Sequence, residues 1–226
     1  MPIDLAELLA GQGLPGGRPQ ARAGRWPAAV LTMELQRGVM GDLSSFPELA
    51  EAAREAGVAE NAARLLVAAR AASVPVVHCT AEFRADRLGT VSNTPLHSAM
   101  LRRPEHLLEG TPATELTPRI GPALSDLVSS RRHGVSPFTG TALDATLRAL
   151  GAQVLVVSGV SVNLGVFGLC VEAVNLGYQV VLVTDAVAGL PAEYATEVVR
   201  RSLALVATLA TVDEVTSVLS RGAPQG

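Results

Sequence analysis

Lysine is absent from the chain, and all 18 basic residues are arginines. A lysine acting as general base, Schiff-base former or ammonium clamp is therefore excluded. Any cationic side chain in a binding site must be a guanidinium, which stays charged and offers a planar fork of donors. Aromatic residues make up only 3% of the sequence and the net charge is −3. Nucleic-acid binding usually needs a basic face and stacking rings, so we expect no nucleic-acid partner.

Cysteine is also scarce. Two residues, Cys79 and Cys170, cannot build a disulfide framework or a cysteine metal cluster. The histidines show no paired HxH or HExxH spacing of the kind that binds zinc. They are His78, His97, His106 and His133. We expect no bound metal and no cofactor.

Long apolar runs are missing too. No apolar run approaches the length of about 18–20 residues that is needed to span a bilayer. The N-terminus has acidic residues where a signal peptide would be basic. We therefore expect no membrane association and a cytoplasmic location. Hydrophobic residues nevertheless make up 48% of the 226 residues, and the mean hydropathy is +0.32. This composition is sufficient for one domain with a large buried core.

Strands and helices are predicted to alternate along the chain. The strand segments are apolar runs at 28–34, 74–80, 126–131, 153–159, 179–184 and 208–212. Continuous rather than alternating apolar strands are typical of a parallel sheet covered on both faces. We predict a single-domain, Rossmann-like, three-layer α/β/α sandwich of about six mostly parallel strands. It occupies residues 27–221 and follows an irregular lead-in over residues 1–26, which contains one short amphipathic stretch.

The carboxyl ends of parallel strands form the edge at which such sheets bind ligands. The strand assignments bring Glu34, residues 79–82, residues 131–135 and residues 161–165 to this edge. Glu34 ends a strand that is otherwise built for burial, so we expect a general acid there. The alternative is an ion-paired glutamate at the surface. The segment 81–125 is too long for an ordinary connection and is expected to act as a functional lid.

Three segments, in order and at suitable spacing, resemble the isochorismatase-like superfamily, also called cysteine hydrolases. AVLTMELQRGV is similar to the family's first strand, which ends in Asp-Met-Gln. RHGVSPFTGTALDATLRALGAQVLVVSGVSVNLGV is similar to its Lys-x-x-x-Ser-x-Phe-x-Gly-Thr-x-Leu segment and the strand after it. VNLGYQVVLVTDAVAG is similar to the run after its catalytic helix. The resemblance covers residues 28 to about 213.

Each catalytic position of that family holds a different residue here. The family aspartate corresponds to Glu34, with Gln36 fixing the register, and the family lysine corresponds to Arg132 or, after a one-residue slip, to His133. The family cysteine corresponds to Gly165. Without a thiolate at this position, the covalent thioester route to amides is not available. Cys170 lies farther along the same helix and is expected to face the core.

True isochorismatases are similar to this chain in having glycine at the cysteine position. They protonate the vinyl ether of their substrate with a carboxylic acid, and water then attacks. The resemblance implies a cofactor-independent hydrolase or lyase of a small anionic metabolite, with Glu34 as general acid/base and Gly165 supplying space and backbone donors. Two alternatives stay open. One is an inactive family member that binds a small molecule or serves as an assembly subunit, and the other is an amidase with a displaced thiol, Cys79.

Further candidates for substrate binding lie near these positions. They are Gln36, Cys79, Arg84, Arg87, His133, Phe138, Ser161 and Leu164. The arginines, Arg132 included, are candidates for clamping a carboxylate, and Ser161 and Asn163 are alternatively expected to cap the next helix. Family habit implies a cis peptide near Val160–Ser161 and a homodimer or larger homo-oligomer.

Overall fold

Six parallel strands form one sheet in the computed structural model, which describes residues 4–11 and 26–222. The strands are β1 (Ala28–Met33), β2 (Val76–Ala81), β3 (Leu127–Arg131), β4 (Val154–Val160), β5 (Gln179–Ala188) and β6 (Thr208–Ala210). Their order is β3-β2-β1-β4-β5-β6, and every neighbouring pair is parallel. The predicted α/β fold and its six parallel strands are confirmed.

Eight α-helices accompany the sheet in the described residues. They are α1 (Leu5–Leu9), α2 (Pro47–Glu55), α3 (Val58–Ala71), α4 (Pro95–Leu101), α5 (Leu143–Leu150), α6 (Gly165–Asn175), α7 (Ala192–Glu197) and α8 (Val212–Ser220). Gly57 separates α2 from α3 with a φ of 65°. Helix α7 continues through a π-helical turn, Val198–Ser202, into a 3-10 turn, Leu203–Leu205.

A separate apolar core lies on each face of the sheet. Successive strand residues point to opposite faces, so Val30 packs in the core on the α2, α3 and α8 side, whereas Leu31 packs in the core on the α5 and α6 side. Helix α3 contributes Leu65 and Leu66 to the first core. Helix α5 contributes Leu147 to the second. The predicted three-layer arrangement follows from this division.

The amphipathic stretch near the N-terminus forms helix α1. The Asp4 carboxylate caps it by accepting hydrogen bonds from the backbone N–H groups of Ala6 and Glu7, and Leu8 and Leu9 are buried against the first core. The prediction of an irregular lead-in therefore needs correction over residues 4–11, because this leucine pair gains burial by packing beside α8. Residues 12–25 of that lead-in and residues 223–226 lie outside the described residues. No helix within the described ranges is long and apolar enough to cross a membrane.

A topological switch point lies between β1 and β4, because the chain moves from β1 toward β3 and then returns to add β4 on the other side. The two strands approach closely at Gly159, whose φ is 121°. A Cβ atom at Gly159 would stand 2.2 Å from the carbonyl oxygen of Met33. No other residue fits there without moving the strand that ends at the rim.

A buried polar network fastens the central strands to the start of β3. Thr32 Oγ1 and His78 Nδ1 are 2.7 Å apart, and His78 Nε2 is 3.1 Å from the Asp126 carboxylate. Arg70 on α3 donates to both oxygens of Asp126, at 3.0 and 2.6 Å. Burial lowers the pKa of His78, although the neighbouring Asp126 opposes this effect. The network fixes the edge strand that carries the arginine of the site described below.

Candidate active site

A cavity of about 110 Å³ opens at the carboxyl ends of β1 and β4, at the switch point. It is lined by Glu34, Val39, Phe46, Leu49, Leu96, His97, Met100, His106, Leu107, Arg131, Gly134, Val135, Ser161, Leu164 and Gly165. Met33 and Phe138 are not among its lining residues, although the terminal methyl of Met33 lies beside Gly165. The predicted ligand edge therefore holds a cavity.

A larger cavity of about 450 Å³ lies between α2, α7 and the ends of β5 and β6. Its lining is mostly alanine, valine and glycine, and Arg200 is its one ionisable lining residue in the described part of the chain. Because none of these lining residues is a carboxylate, imidazole or thiol, the larger cavity offers no proton-transfer group. We place the chemistry in the smaller cavity.

Glu34 follows β1 directly and has a φ of 52°, in the left-handed region that costs a non-glycine residue about 1–3 kcal/mol. Its backbone N–H donates to the carbonyl oxygen of Cys79 at 2.9 Å. Its Oε1 accepts a hydrogen bond of 2.5 Å from Nη2 of Arg131, and its side chain is 14% exposed. Its Oε2 accepts no hydrogen bond from any described residue. One carboxylate oxygen is thus held, and the other is available to a ligand.

The arginine that faces Glu34 is Arg131, and the expectation that Arg132 or His133 occupies this place is wrong. Arg131 is the last residue of β3, and its Nε and Nη1 also donate to the carbonyl oxygens of Gly134 (3.0 Å) and Thr80 (3.5 Å). Arg132 points outward and pairs with Glu109 at 3.0 Å. Neighbouring residues at a strand end face opposite sides, so a one-residue error in register exchanges a site residue for a surface residue. His133 is likewise outside the cavity lining.

Gly165 begins α6 and faces Glu34 across the cavity. A Cβ atom at Gly165 would stand 2.9 Å from the terminal methyl of Met33 and 3.6 Å from Oε2 of Glu34. Oε2 of Glu34 therefore points at the space that a side chain at position 165 would enter. The glutamate at position 34 is longer than the family aspartate, and its Oε2 lies beside the space that the missing side chain at position 165 leaves open.

The turn from β4 into α6 contributes Ser161 and Leu164 to the cavity lining. The peptide bond between Val160 and Ser161 is cis, as the resemblance implies. The expectation that Ser161 or Asn163 caps α6 is wrong. Leu164 occupies the N-cap position, and no side chain caps the helix. Asn163 instead donates from Nδ2 to the carbonyl oxygen of Leu190 at 3.1 Å.

Four other predicted binding residues lie outside the cavity lining. Gln36 is buried, and its amide bonds to backbone atoms of Ala81 and Thr114. Phe138 packs in the second core. Arg84 pairs with a neighbouring carboxylate at the surface, and Arg87 donates to three backbone carbonyl groups. Each side chain is engaged in folding contacts, and the structure does not bring them to the site.

Both cysteines are buried and free of disulfides. Burial raises the pKa of the Cys79 thiol to about 12, and it does the same for Cys170. Neither thiol lines the cavity. Because the thiolate is the nucleophilic form of cysteine, the geometry does not support an amidase with a displaced thiol.

Two histidines of the long segment after β2 were missed as site residues. His97, on α4, lines the cavity with Nδ1 2.9 Å from Thr94 Oγ1 and Nε2 3.4 Å from the carbonyl oxygen of Gly134. His106 also lines the cavity and is 1% exposed, and neither ring nitrogen has a hydrogen-bond partner among the described residues. Single histidines in an irregular segment have no spacing signal. The length of the segment, which predicted a lid, was the available clue.

The formal charges of the cavity walls balance. Glu34 and Arg131 form an ion pair, and the other walls are apolar side chains, backbone, a serine and two histidines. No lining cation is left over for a substrate carboxylate, so the lining supports a neutral ligand better than the expected anionic one. The described residues contain no cluster of three or more His, Cys, Asp or Glu side chains that could hold a metal ion.

Comparison with known proteins supports the resemblance inferred from the sequence. The isochorismatase domain model matches residues 28–214. An uncharacterized isochorismatase family protein of Bacillus subtilis, YwoC, is 39% identical over 72 residues, which are 32% of this chain. The match spans 38% of the length of that curated relative.

Solved structures share the fold over most of the chain. An isochorismatase family protein from Desulfovibrio vulgaris has a TM-score of 0.71 and 26% identity, covering 88% of this chain and 100% of the other. One from Burkholderia thailandensis has a TM-score of 0.70 and 25% identity over the same shares. N-carbamoylsarcosine amidase from Thermoplasma acidophilum, at 23% identity and a TM-score of 0.64, covers 82% of this chain and 96% of its own. At that identity the likeness shows the fold alone.

Proposed function

The chain belongs to the isochorismatase family, and from this premise we propose that it is a cofactor-independent hydrolase of a small molecule, with Glu34 as general acid/base and no cysteine nucleophile. One observation carries the proposal. Oε1 of Glu34 is held by Arg131, whereas Oε2 has no hydrogen-bond donor among the described residues and lies beside the space at Gly165. A fixed carboxylate with one free oxygen at a cavity wall has the geometry of a proton-transfer group.

The ion pair sets the order of the proton transfers. Paired with the Arg131 guanidinium, Glu34 begins as a carboxylate, so its first act is to accept a proton from water at Oε2. The water oxygen bonds to the electrophilic carbon of the substrate, the bond from that carbon to the leaving group breaks, and Glu34 returns the proton to the leaving group. Arg131 stays anchored to backbone carbonyl groups while Glu34 changes charge. This order differs from the acid-first chemistry expected from the resemblance.

The size and polarity of the cavity limit the substrate. An apolar cavity of about 150 Å³ accommodates benzene, whereas this one measures about 110 Å³. The part of the substrate that enters it is therefore smaller than an aromatic ring. Its walls include Leu96, Met100 and Leu107, which favour an aliphatic group. We propose a small, neutral, largely aliphatic substrate.

Glu34→Gln tests the proposal. We expect the variant to lose turnover by about 10²–10⁴-fold, because it removes the proton acceptor, while ligand affinity stays within about tenfold because the shape is kept. The assay is a hydrolysis screen of small neutral amides, esters and ethers with the wild-type protein, followed by the variant on any substrate found.

Glu109→Gln is the matched control, since Glu109 pairs with Arg132 at the surface and lies outside the cavity. It should leave turnover unchanged. Full turnover in Glu34→Gln would show that the acid/base group has been misassigned. Binding without turnover in the wild-type protein would instead support the inactive binding protein.

A further inference from the structure

One side of the cavity is formed by residues 90–101, which we call the lid arm. The lid arm includes helix α4 and contributes Leu96, His97 and Met100 to the cavity lining. His97 is 2% exposed and Met100 is 8% exposed, so both side chains are covered on the cavity side. The polar contacts of the lid arm therefore decide how this wall is joined to the rest of the site.

The lid arm contacts the turn that follows β3 at three successive residues. The Thr90 hydroxyl donates to the carbonyl oxygen of Arg132 at 2.9 Å. The backbone N–H of Val91 donates to Nδ1 of His133 at 3.4 Å. The third contact is made at the next residue of the turn, by a side chain that also lines the cavity.

This third contact reaches the carbonyl oxygen that orients the site arginine. The Gly134 oxygen accepts a hydrogen bond from Nε of Arg131 at 3.0 Å and lies 3.4 Å from Nε2 of His97. A carbonyl oxygen has two lone pairs and can accept both donors. Arg131 in turn donates from Nη2 to Oε1 of Glu34 at 2.5 Å. One carbonyl group and one guanidinium thus connect His97 to the carboxylate.

The surroundings of His97 determine that Nε2 is a donor. Its backbone N–H donates to Oγ1 of Thr94 at 3.1 Å, which leaves the Thr94 hydroxyl hydrogen to donate to Nδ1 at 2.9 Å. In a neutral ring the hydrogen is then on Nε2, and a protonated ring would carry one there as well. The opposite tautomer would set a nitrogen lone pair against the Gly134 oxygen. At 3.4 Å the hydrogen bond is long, so the Thr90 and Val91 contacts share in holding the turn.

We propose that His97 is a positioning residue that couples the lid arm to Arg131 through the Gly134 carbonyl group. The inference rests on the proposed function, because Arg131 in turn holds the Glu34 carboxylate. With the lid arm in place, the Gly134 oxygen is held by His97 and itself holds the Nε–H of Arg131. Release of the lid arm loosens that hold. The cavity therefore orders its acid/base pair as it is covered, which favours turnover in the covered state.

Hydrogen exchange at the Nε–H group of Arg131, followed by nitrogen-15 NMR, tests the coupling without a ligand. This hydrogen is bonded to the Gly134 oxygen, so its exchange with water reports how firmly it is held. His97→Asn has an amide that is one methylene too short to reach Gly134, and it should speed the exchange about three- to tenfold. His97→Gln has the longer amide and should restore most of the wild-type rate. Thr90→Val removes the hydroxyl contact and should speed the exchange less.

Ser98→Ala is the matched control. Ser98 also lies on α4, but its hydroxyl pairs with the Ser92 hydroxyl at 2.8 Å, inside the lid arm. This variant should leave the exchange of Arg131 unchanged. If His97→Asn does not fold, Thr90→Val carries the test, because it weakens the same joint from a residue outside the cavity lining.

Equal exchange in wild type, His97→Asn and Thr90→Val would overturn the inference. So would an effect of Ser98→Ala as large as that of His97→Asn, because it would show a general loosening of α4. On a substrate found in the hydrolysis screen, His97→Asn should lower kcat about three- to tenfold and leave KM within about twofold. A change confined to KM would show that His97 acts on binding and not through Arg131.

These outcomes are separate from the fate of the proposed hydrolysis. Faster exchange of Arg131 in His97→Asn together with turnover that ignores Glu34 removes only the hydrolytic assignment. Unchanged exchange together with turnover that depends on Glu34 removes only the role of His97.

Discussion

Glu34 and Gly165 share one small volume. Position 34 carries a longer side chain than the aspartate that the family resemblance implies, and position 165 carries none. Oε2 of Glu34 lies 3.6 Å from the point where a Cβ atom on Gly165 would be. The same Cβ atom would stand 2.9 Å from the terminal methyl of Met33, so a side chain at position 165 must first displace Met33. The two departures therefore lie beside each other at the cavity.

We expect Gly165→Cys to gain no amidase activity. A thiol needs a base or a lowered pKa to become a nucleophile, and Arg131 cannot relay protons at neutral pH. The sulfur should also weaken ligand binding by crowding Met33 and Glu34, while the fold stays intact. Hydrolysis of acetamide is the assay, and Gly165→Ala is the control, because Met33 can move its terminal methyl to accept a Cβ atom. Amide turnover by Gly165→Cys would show an ordinary cysteine-hydrolase site that lacks only its thiol.

His106 should make stability depend on pH. Its pKa falls from 6.5 to about 4 on folding, so below pH 6.5 the unfolded chain takes up a proton that the folded protein refuses. Stability is then complete above that pH and falls as the pH drops toward 4, by at most about 1.4 kcal/mol per pH unit for this residue. The lowered pKa of His78 acts in the same direction.

Chemical denaturation between about pH 7.5 and 4.5 measures this effect. His106→Phe should flatten part of the decline, leaving the share of His78. An identical decline in wild type and His106→Phe would mean that the imidazole is not held neutral by burial.

At the scale of elements, the network around Asp126 decides where β3 begins. The Asp126 side chain is 3% exposed, and it receives hydrogen bonds from Arg70, His78 and the backbone of Ala123. Burial raises the pKa of this carboxyl, but these donors outweigh burial and hold the pKa below its usual value. Since Arg131 ends the same strand, the network also supports the position of the site arginine.

Asp126→Asn should lower the free energy of unfolding by about 3 kcal/mol, because it leaves a largely buried guanidinium without its charge partner. Asp86→Asn, at an exposed pair with Arg84, should cost less than about 1 kcal/mol. Urea denaturation of both variants gives the comparison. Similar losses in the two would show that the buried pair does not fasten the edge strand.

Sequence patterns predicted the elements well and the site only in part. Apolar runs located all six strands, because parallel strands buried on both faces are uniformly apolar. At β3 the pattern located the strand but not the direction of its side chains. Leu127 and Val128 are exposed at this sheet edge, so no alternation of apolar residues shows whether Arg131 or Arg132 faces the site. The burial of His106 was not predicted, because it depends on contacts with Phe46 and Phe83, which are distant in sequence.

At the scale of the whole molecule, β3 and β6 are the two edge strands of the sheet. Strand β3 pairs only with β2 among the described strands, and exposed apolar side chains occur along and before it at Leu124, Leu127 and Val128. An unpaired edge with apolar side chains favours pairing with another chain. The expected homo-oligomer stays a prediction, and this edge is where we place its contact.

Val128→Lys should shift the protein toward monomer, since a lysine at a strand edge opposes edge-to-edge pairing. Light scattering with size exclusion at micromolar concentration gives the mass. Val67→Lys, at an exposed position of α3, should leave the mass unchanged. A monomeric wild-type protein, or an oligomer indifferent to Val128→Lys, would contradict the prediction.

The closeness of Glu34 and Gly165 also limits how the two positions can vary. A Cβ atom at position 165 would stand 2.9 Å from the terminal methyl of Met33 and 3.6 Å from Oε2 of Glu34. A side chain at position 165 is therefore accommodated only if Met33 moves. Because Glu34 lies in the same neighbourhood, the effects of changing positions 34 and 165 together should not equal the sum of the separate effects.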